Sequence, residues 1–319
     1  MKITFWGTRG SLPAPLNGAA VRRKLVNALV KAAGLGLDTP EKAEAFCSET
    51  LAFAEASTFG GNTSCVQVDT GGQDYLVCDL GSGAREFSMA ALARHGPGSP
   101  QTYHVLLSHV HWDHIMGFPF FIPAFIPGNR IRIYSCHPRF EWAIRNQSHE
   151  PCFPVEFSAL SAAIEFVPLE PGTPYEIAGA TVTGMAQLHG GDSFGYRIER
   201  NGTTLIYTTD AEYKPDDIAQ MERTAMFFRD ADLVIFDSMY SLAESITLKE
   251  DWGHSSNVMG VELCQLARAK ALCLFHHEPV NDDARIEAIL NETLRFEEIT
   301  RTGDRLRIHA AHDGLVLEI

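Results

Sequence analysis

Residues 106–118 read LLSHVHWDHIMGF, placing His109, His111, Asp113 and His114 within six positions at the end of an apolar run. Four polar donors crowded where a strand runs out are unfavourable unless something pairs with them. Neutral imidazole and carboxylate suit divalent first-row ions such as zinc, manganese or iron. His109 and His111 are two apart, so on extended chain they point the same way and can grip one ion. Asp113 and His114 follow as the chain turns, which suits them to a second, adjacent ion.

A dinuclear centre needs further ligands, and three other strand ends offer them. GMAQLHGGDSFGY ends a run at His189, TLIYTTDAEY ends one at Asp210, and ALCLFHHEP ends one at His276 and His277. Each is a polar residue closing an apolar run, where a layered fold gathers its functional loops.

These runs belong to a chain of 319 residues with 45% hydrophobic and 21% charged residues, ordinary for a globular protein. Short β-rich stretches recur from KITFW through SCVQVD, DYLVCDL, YHVLLS, RIRIYS, AIEFVPL, TVTGMAQL, FGYRIE, TLIYTT, DLVIFD and ALCLFH to GLVLEI. Helical spacing marks 19–33, 40–56, 83–94, 138–147, 256–269 and 281–293, the second opening on Thr39-Pro40-Glu41. No linker, charge block or repeat divides the chain, so one mixed α/β domain over 1–319 is expected. The segment 16–59 lies between two Gly turns, GTRGSLPAP and FGGNTSC, and is expected to be a helical insertion. It would cover the pocket or a subunit interface, which leaves room for a homodimer.

The formal charge of −14 weighs against long nucleic acid as a partner, because phosphate-backbone binding needs clustered Lys and Arg. A small phosphorylated substrate is still compatible, since bound divalent cations reverse the local sign. The seven cysteines form no CxxC pair, and several sit in apolar runs as reduced, buried thiols would. The N-terminus MKITFWGTRG lacks the apolar core of a signal peptide, and no run reaches the roughly 18 apolar residues of a membrane span. A cytoplasmic chain with no membrane partner is expected.

Taken in order, FWGTRGS, GGNTSC, DLGSG, SHVHWDH, QLHGGDSFGY, TTD, GHSS and LFHHEP resemble the metallo-β-lactamase-fold hydrolases. Within them the likeness is to the phosphodiesterase branch of ribonuclease Z and the PhnP-like cyclic phosphodiesterases. The resemblance covers nearly the whole chain apart from 16–59. It implies a four-layer αββα sandwich of two mixed sheets with helices outside. It also implies two divalent ions, most often Zn2+, with His109, His111 and His189 on the first and Asp113, His114 and His276 on the second, Asp210 bridging. His276 is selected over His277 because the family's ligand precedes a Pro by three positions, here Pro279. His277 is then a neighbour of the centre or a pocket residue.

GHSS places His254 before a helix, and in the family this His lies beside the scissile phosphate and acts on the leaving group. Two ions about 3.5–4 Å apart would hold a bridging hydroxide as nucleophile. His254 would be the general acid, while Asp113 and Asp210 are chiefly ligands that also orient the water. The expected activity is a phosphodiesterase acting on a small substrate such as a cyclic nucleotide. A lactone, thioester or β-lactam hydrolase on the same ions, and a tRNA-processing nuclease, are the alternatives. Asp79 of DLGSG is expected to brace the ligand loop. Asn62, Thr63 and Ser64 lie near the mouth or only stabilise a turn. Phe118, Phe120, Phe121 and Phe125 read mainly as core.

Overall fold

The structure is a computed structural model and describes residues 1–151, 153–241 and 252–319. In chain order it begins with β1 (Lys2–Gly7), α1 (Gly18–Ala32), α2 (Pro40–Glu49) and α3 (Phe53–Ala56). Next come β2 (Cys65–Asp69), β3 (Tyr75–Cys78), α4 (Ala84–His95), β4 (Thr102–Leu106) and the short α5 (Trp112–Ile115). β5 (Arg130–Ser135), α6 (Phe140–Gln147), β6 (Ala163–Pro168), β7 (Pro174–Ile177), β8 (Ala180–Gln187), β9 (Ser193–Arg200) and β10 (Thr203–Thr208) follow. The chain continues with α7 (Ile218–Phe228), β11 (Leu233–Asp237), α8 (Asn257–Ala267), β12 (Ala271–Phe275), α9 (Asp283–Thr300), β13 (Arg307–Ala310) and β14 (Val316–Glu318).

The strands form two seven-stranded sheets, ordered β14-β1-β2-β3-β4-β5-β6 and β13-β12-β11-β10-β9-β8-β7. In each sheet one half is antiparallel and the other parallel: β3 to β6 run together in the first, β10 to β13 in the second. Period-two alternation then sorts side chains between layers. Ile3, Phe5, Val66, Val68, Leu76 and Leu106 of the first sheet meet Val182, Tyr196, Leu205, Tyr207, Ile235 and Phe275 of the second in the central core. The opposite face of the first sheet packs Tyr75, Val77, Val105 and Ile131 against Phe87 of α4 and Ile144 of α6. Ile206, Val234, Phe236 and Leu272 likewise pack against Phe228 of α7 and Met259 and Leu263 of α8. This is the expected helix–sheet–sheet–helix sandwich.

Two strands absent from the sequence reading, β7 and β13, form the two opposite edges of the second sheet, and α7 is an additional helix. The reading of one helix over 40–56 resolves into two. α2 ends at Glu49, Leu51 turns inward, and Glu55 restarts a helix by accepting the Ala52 N–H at 3.2 Å.

Between β1 and β2 the segment 16–59 is helical, and α3 seats Phe53 and Ala54 beside Phe59, Ile286 and Leu290, the last two on α9. Helix α1 is arranged unusually. Ala20, Lys24 and Ala28 turn toward the body, where Lys24 pairs with Asp283 and Lys31 holds Glu55 at 2.7 Å. Val21, Leu25, Val26, Leu29 and Val30 are all exposed.

The loop joining segment 16–59 to β2 is fastened by two charged groups, buried Arg9 and half-buried Asp313. Arg9 donates to the carbonyls of Gly60, Glu278 and Asn281, and Asp313 accepts from the Gly61 and Asn62 N–H groups at 3.0 Å each. Burial raises the Asp313 carboxyl to about 6, against the pull of those bonds. The folded protein therefore binds this proton more tightly than the unfolded chain. That stabilisation is complete below about pH 4 and is lost as pH rises through about 6. Between about pH 4 and about pH 7 the wild type should lose on the order of 2–3 kcal/mol relative to Asp313→Asn. Urea denaturation of both proteins at the two pH values measures the difference; parallel changes would show an ordinary carboxyl at this position.

Candidate metal centre

The candidate residues lie on loops that leave the C-terminal ends of strands in both sheets: Asp79 after β3, His109 after β4, His189 after β8, Asp210 after β10 and His276 after β12. The two sheets face each other, so these ends converge on one edge. All seven proposed ligands are brought together there in two overlapping sets. One is His109, His111, His189 and Asp210; the other is Asp113, His114, Asp210 and His276.

The spacing of the donor atoms tests the fit to a metal. Around a tetrahedral ion with bonds of about 2.0–2.1 Å, donors stand roughly 3.3 Å apart. In the first set His111 Nδ1 is 3.1 Å from His189 Nε2, and Asp210 Oδ2 is 3.6 Å from both His109 Nε2 and His189 Nε2. In the second set His114 Nε2 is 3.0 Å from Asp210 Oδ1, 3.2 Å from His276 Nε2 and 3.3 Å from Asp113 Oδ2. His276 Nε2 lies 3.1 Å from both carboxylates. Asp210 thus offers one oxygen to each set. His109 Nε2 is buried with no hydrogen-bond partner among the described residues, an orphan that a bound ion would satisfy. The donor set fits two ions.

Charge follows the same logic. Burial, reinforced by neighbouring imidazoles, holds His109 well below its ordinary value and lowers His111, while burial lowers His189, the forms a metal ligand requires. Burial alone would also lower His114, but Asp210, Asp113 and Asp79 outweigh it and raise it. Asp113 and Asp210 stay well below the usual carboxylate range: burial opposes this, and the surrounding histidines prevail.

Several bonds aim these side chains. Asp79 is fully buried; it accepts from the Ser108 N–H at 2.8 Å, the Ser108 hydroxyl at 2.7 Å and the Tyr207 hydroxyl at 2.6 Å. It also binds His114 Nδ1 at 2.8 Å, which leaves Nε2 facing the cluster. The Ser11 N–H donates to Asp113 at 2.7 Å, and the Thr209 hydroxyl to Asp210 at 2.8 Å. His276 itself adopts φ 60°, an uncommon conformation for a side chain with Cβ. The Gly10 backbone lies against its ring, where an added Cβ would come within 2.6 Å. His277 is buried elsewhere: its Nε2 meets the Ala311 carbonyl at 2.8 Å, and burial pushes it down to about 3.

His254 stands beside the cluster, its ring 5.1 Å from that of His189 and 5.2 Å from that of His276. The Ser255 hydroxyl anchors the turn to the Ala211 carbonyl at 2.6 Å, and Ser256 caps α8. His254 Nδ1 bonds Asp237 Oδ2 at 2.9 Å. Burial would lower His254, but the charge and hydrogen bond of Asp237 raise it to about 9. Asp237 is absent from the sequence reading. Its signal was available, since DLVIFD is another apolar run closed by an acid.

Other motif residues serve the frame. Thr63 and Ser64 are buried; Thr63 exchanges bonds with Ser82 of the DLGSG turn, and the Ser64 carbonyl accepts the Gly81 N–H. Phe118 and Phe121 are core, whereas Phe120 is exposed. His137 supports the loop after His189 by bonding the Gly191 carbonyl at 2.9 Å.

An αββα sandwich with paired imidazole–carboxylate pockets at its strand ends defines a class of metal-dependent enzymes. The chain belongs to the metallo-β-lactamase superfamily of hydrolases, the beta-lactamase superfamily domain matching residues 76–277. Ribonuclease Z of Staphylococcus carnosus (strain TM300) is 31% identical over 103 residues, and the match covers 32% of this chain and 32% of that relative. Among solved structures, the metallo-β-lactamase-fold protein YhfI from Bacillus subtilis is 18% identical, covering 100% of this chain and 98% of its own, with a TM-score of 0.63. A diphosphatase of the PhnP family is 19% identical, with 100% and 97% covered and a TM-score of 0.61. Yeast PDE1 is 15% identical, with 100% and 99% covered and a TM-score of 0.64. These structures share the fold.

Asp79→Ala strands His114 and the Ser108 and Tyr207 donors. Breaking a buried charged cluster of this kind costs about 3–5 kcal/mol, and loss of such a brace weakens metal binding about 10–100-fold. Tyr207→Phe removes one bond and should have a smaller effect on both. Denaturation midpoints and competitive metal titration measure them; equal effects of the two variants would show that Asp79 does not orient His114.

Proposed function

We propose that the chain is a dinuclear metal-dependent phosphodiesterase acting on a small substrate, a cyclic nucleotide being the type. The observation that carries this reading is the His254–Asp237 pair at 2.9 Å beside the two candidate pockets. Its chemistry suits a reaction whose leaving group is an alkoxide.

His109, His111, His189 and one oxygen of Asp210 would hold the first ion; Asp113, His114, His276 and the other oxygen the second. Zinc is the expected ion for this donor set, with manganese or iron as alternatives. When bound, such a pair supplies Lewis-acid clamping of phosphoryl oxygens and lowers the pKa of water. The residues of the chain do the rest. Asp237 accepts from His254 Nδ1 and fixes the ring, and Nε2 carries the proton toward the departing oxygen. That proton leaves with the alcohol, and His254 ends neutral.

The relatives named as a ribonuclease and a diphosphatase support phosphoryl chemistry. The net charge of −14 favours a small phosphodiester over long RNA. We also infer a cytoplasmic setting, in keeping with free, buried Cys65, Cys78, Cys264 and Cys273, and no membrane partner. Among the described residues no helix is long and apolar enough to cross a membrane.

Elemental analysis of fully loaded protein should give two ions per chain. Asp210→Ala should lower both occupancies and His277→Ala neither; a single ion in the wild type would overturn the dinuclear arrangement.

His254→Ala should retain both ions yet lose about 10²–10⁴-fold in turnover of an alkyl or ribosyl phosphodiester. A nitrophenyl ester, whose leaving group needs little protonation, should lose far less. Equal losses would assign His254 to binding, and lactone or thioester turnover exceeding phosphodiester turnover would favour the alternative hydrolase.

A further inference from the structure

Three large apolar residues next in the chain to residues of the candidate centre stand in solvent. Trp112 is 76% exposed, Leu188 49% and Trp252 63%. Isolated exposed apolar residues are ordinary on a protein surface. These three are each one residue from the site's inner groups: Trp112 follows His111, Leu188 precedes His189, and Trp252 precedes Gly253 and His254.

The residues beside them are linked to one another. His111 Nδ1 lies 3.1 Å from His189 Nε2, and His189 Nδ1 bonds the Gly253 carbonyl at 2.7 Å. The Glu212 N–H donates to the Leu188 carbonyl at 2.8 Å, and the Glu212 carboxylate accepts from the Gly253 N–H at 3.1 Å. The rim is thus built on the same hydrogen-bonded frame that positions His189 and His254. The ring at position 112 stays largely in solvent, although it begins α5 between two candidate ligands.

We propose that Trp112, Leu188 and Trp252 form an apolar rim that binds a flat aromatic group of nucleobase type attached to the phosphoryl substrate, and so set the site's selectivity. The proposal rests on the phosphoryl-substrate reading of the metal centre and adds the chemistry of the group beyond the phosphorus. The polar pockets hold the phosphoryl oxygens, while the rim removes the ring from water and stacks on it. Stacking of a base on an aromatic side chain tolerates any base, so the rim selects aromatic over non-aromatic esters more than one base over another.

The test is equilibrium binding of AMP and of ribose 5-phosphate to the zinc-loaded protein by calorimetry. The two probes share sugar and phosphate and differ in the base. The wild type should bind AMP about 5–100-fold more tightly. Trp112→Ala and Trp252→Ala should narrow that gap and leave ribose 5-phosphate affinity and zinc content unchanged, with Trp112→Phe restoring most of it. No gap in the wild type, or a gap that survives in both alanine variants, overturns the rim. Turnover of phosphodiesters is scored separately. Cleavage without a base-dependent gap retains the phosphodiesterase and removes the rim. A rim-dependent gap without cleavage of any phosphodiester retains the rim and removes the phosphodiesterase.

Discussion

One buried carboxylate carries much of the architecture. Asp79 receives Ser108 from the end of β4, His114 from α5 and Tyr207 from the second sheet. A charge with no exposed surface is tolerated only when its lone pairs are filled, and here donors from both sheets fill them. The same bonds choose which nitrogen of His114 faces the centre. Asp79 sits at φ 58°, a conformation that costs energy and persists because its surroundings determine it. Sheet packing and ligand orientation are therefore one constraint, which is why the centre lies between the sheets.

The near-mirror order of the sheets explains the location further. Each contributes a block of parallel strands, and their carboxyl ends deliver polar residues to a common edge. The first sheet supplies the contiguous ligands 109–114, and the second supplies His189, Asp210 and His276 singly. Asp237, closing β11 between β10 and β12, falls in the same row and holds His254. An acid at that register can reach both the last ligand strand and the turn before α8.

Much of this was legible because it is local. HVHWDH announces itself by spacing, and an apolar run closed by His or Asp marks a strand end wherever it occurs. What escaped was long-range. The short β7 and β13 owe their strand character to neighbours far along the chain, since Arg307 pairs with Ala271 and Pro174 with Thr183. The restart of helix at Phe53 depends on Leu51 turning inward and α3 docking on Ile286 and Leu290. The roles of His276 and His277 are separated by backbone, φ 60° at the first sending adjacent rings to different places. In the sequence the spacing to Pro279 picks His276 by family likeness, and the turn supplies the physical reason the two rings part.

Helix α1 has a physical consequence of another kind. Most amphipathic helices are held to a protein by their apolar stripe, an attraction that added salt does not weaken. α1 is held by lysines instead, with its valines and leucines outside. Screening contracts from about 10 Å at 0.1 M ionic strength to about 3 Å at 1 M and acts most on exposed pairs. Lys31–Glu55 and Arg23–Asp282 are the exposed pairs, whereas Lys24 meets an Asp283 carboxylate that is only 2% accessible. Rising ionic strength therefore weakens the Arg23 and Lys31 contacts of α1 first, the buried Lys24–Asp283 contact last, while the sandwich beneath keeps its packing. The insertion's grip on the body is set by electrolyte, and the grip of the sheets on each other is not.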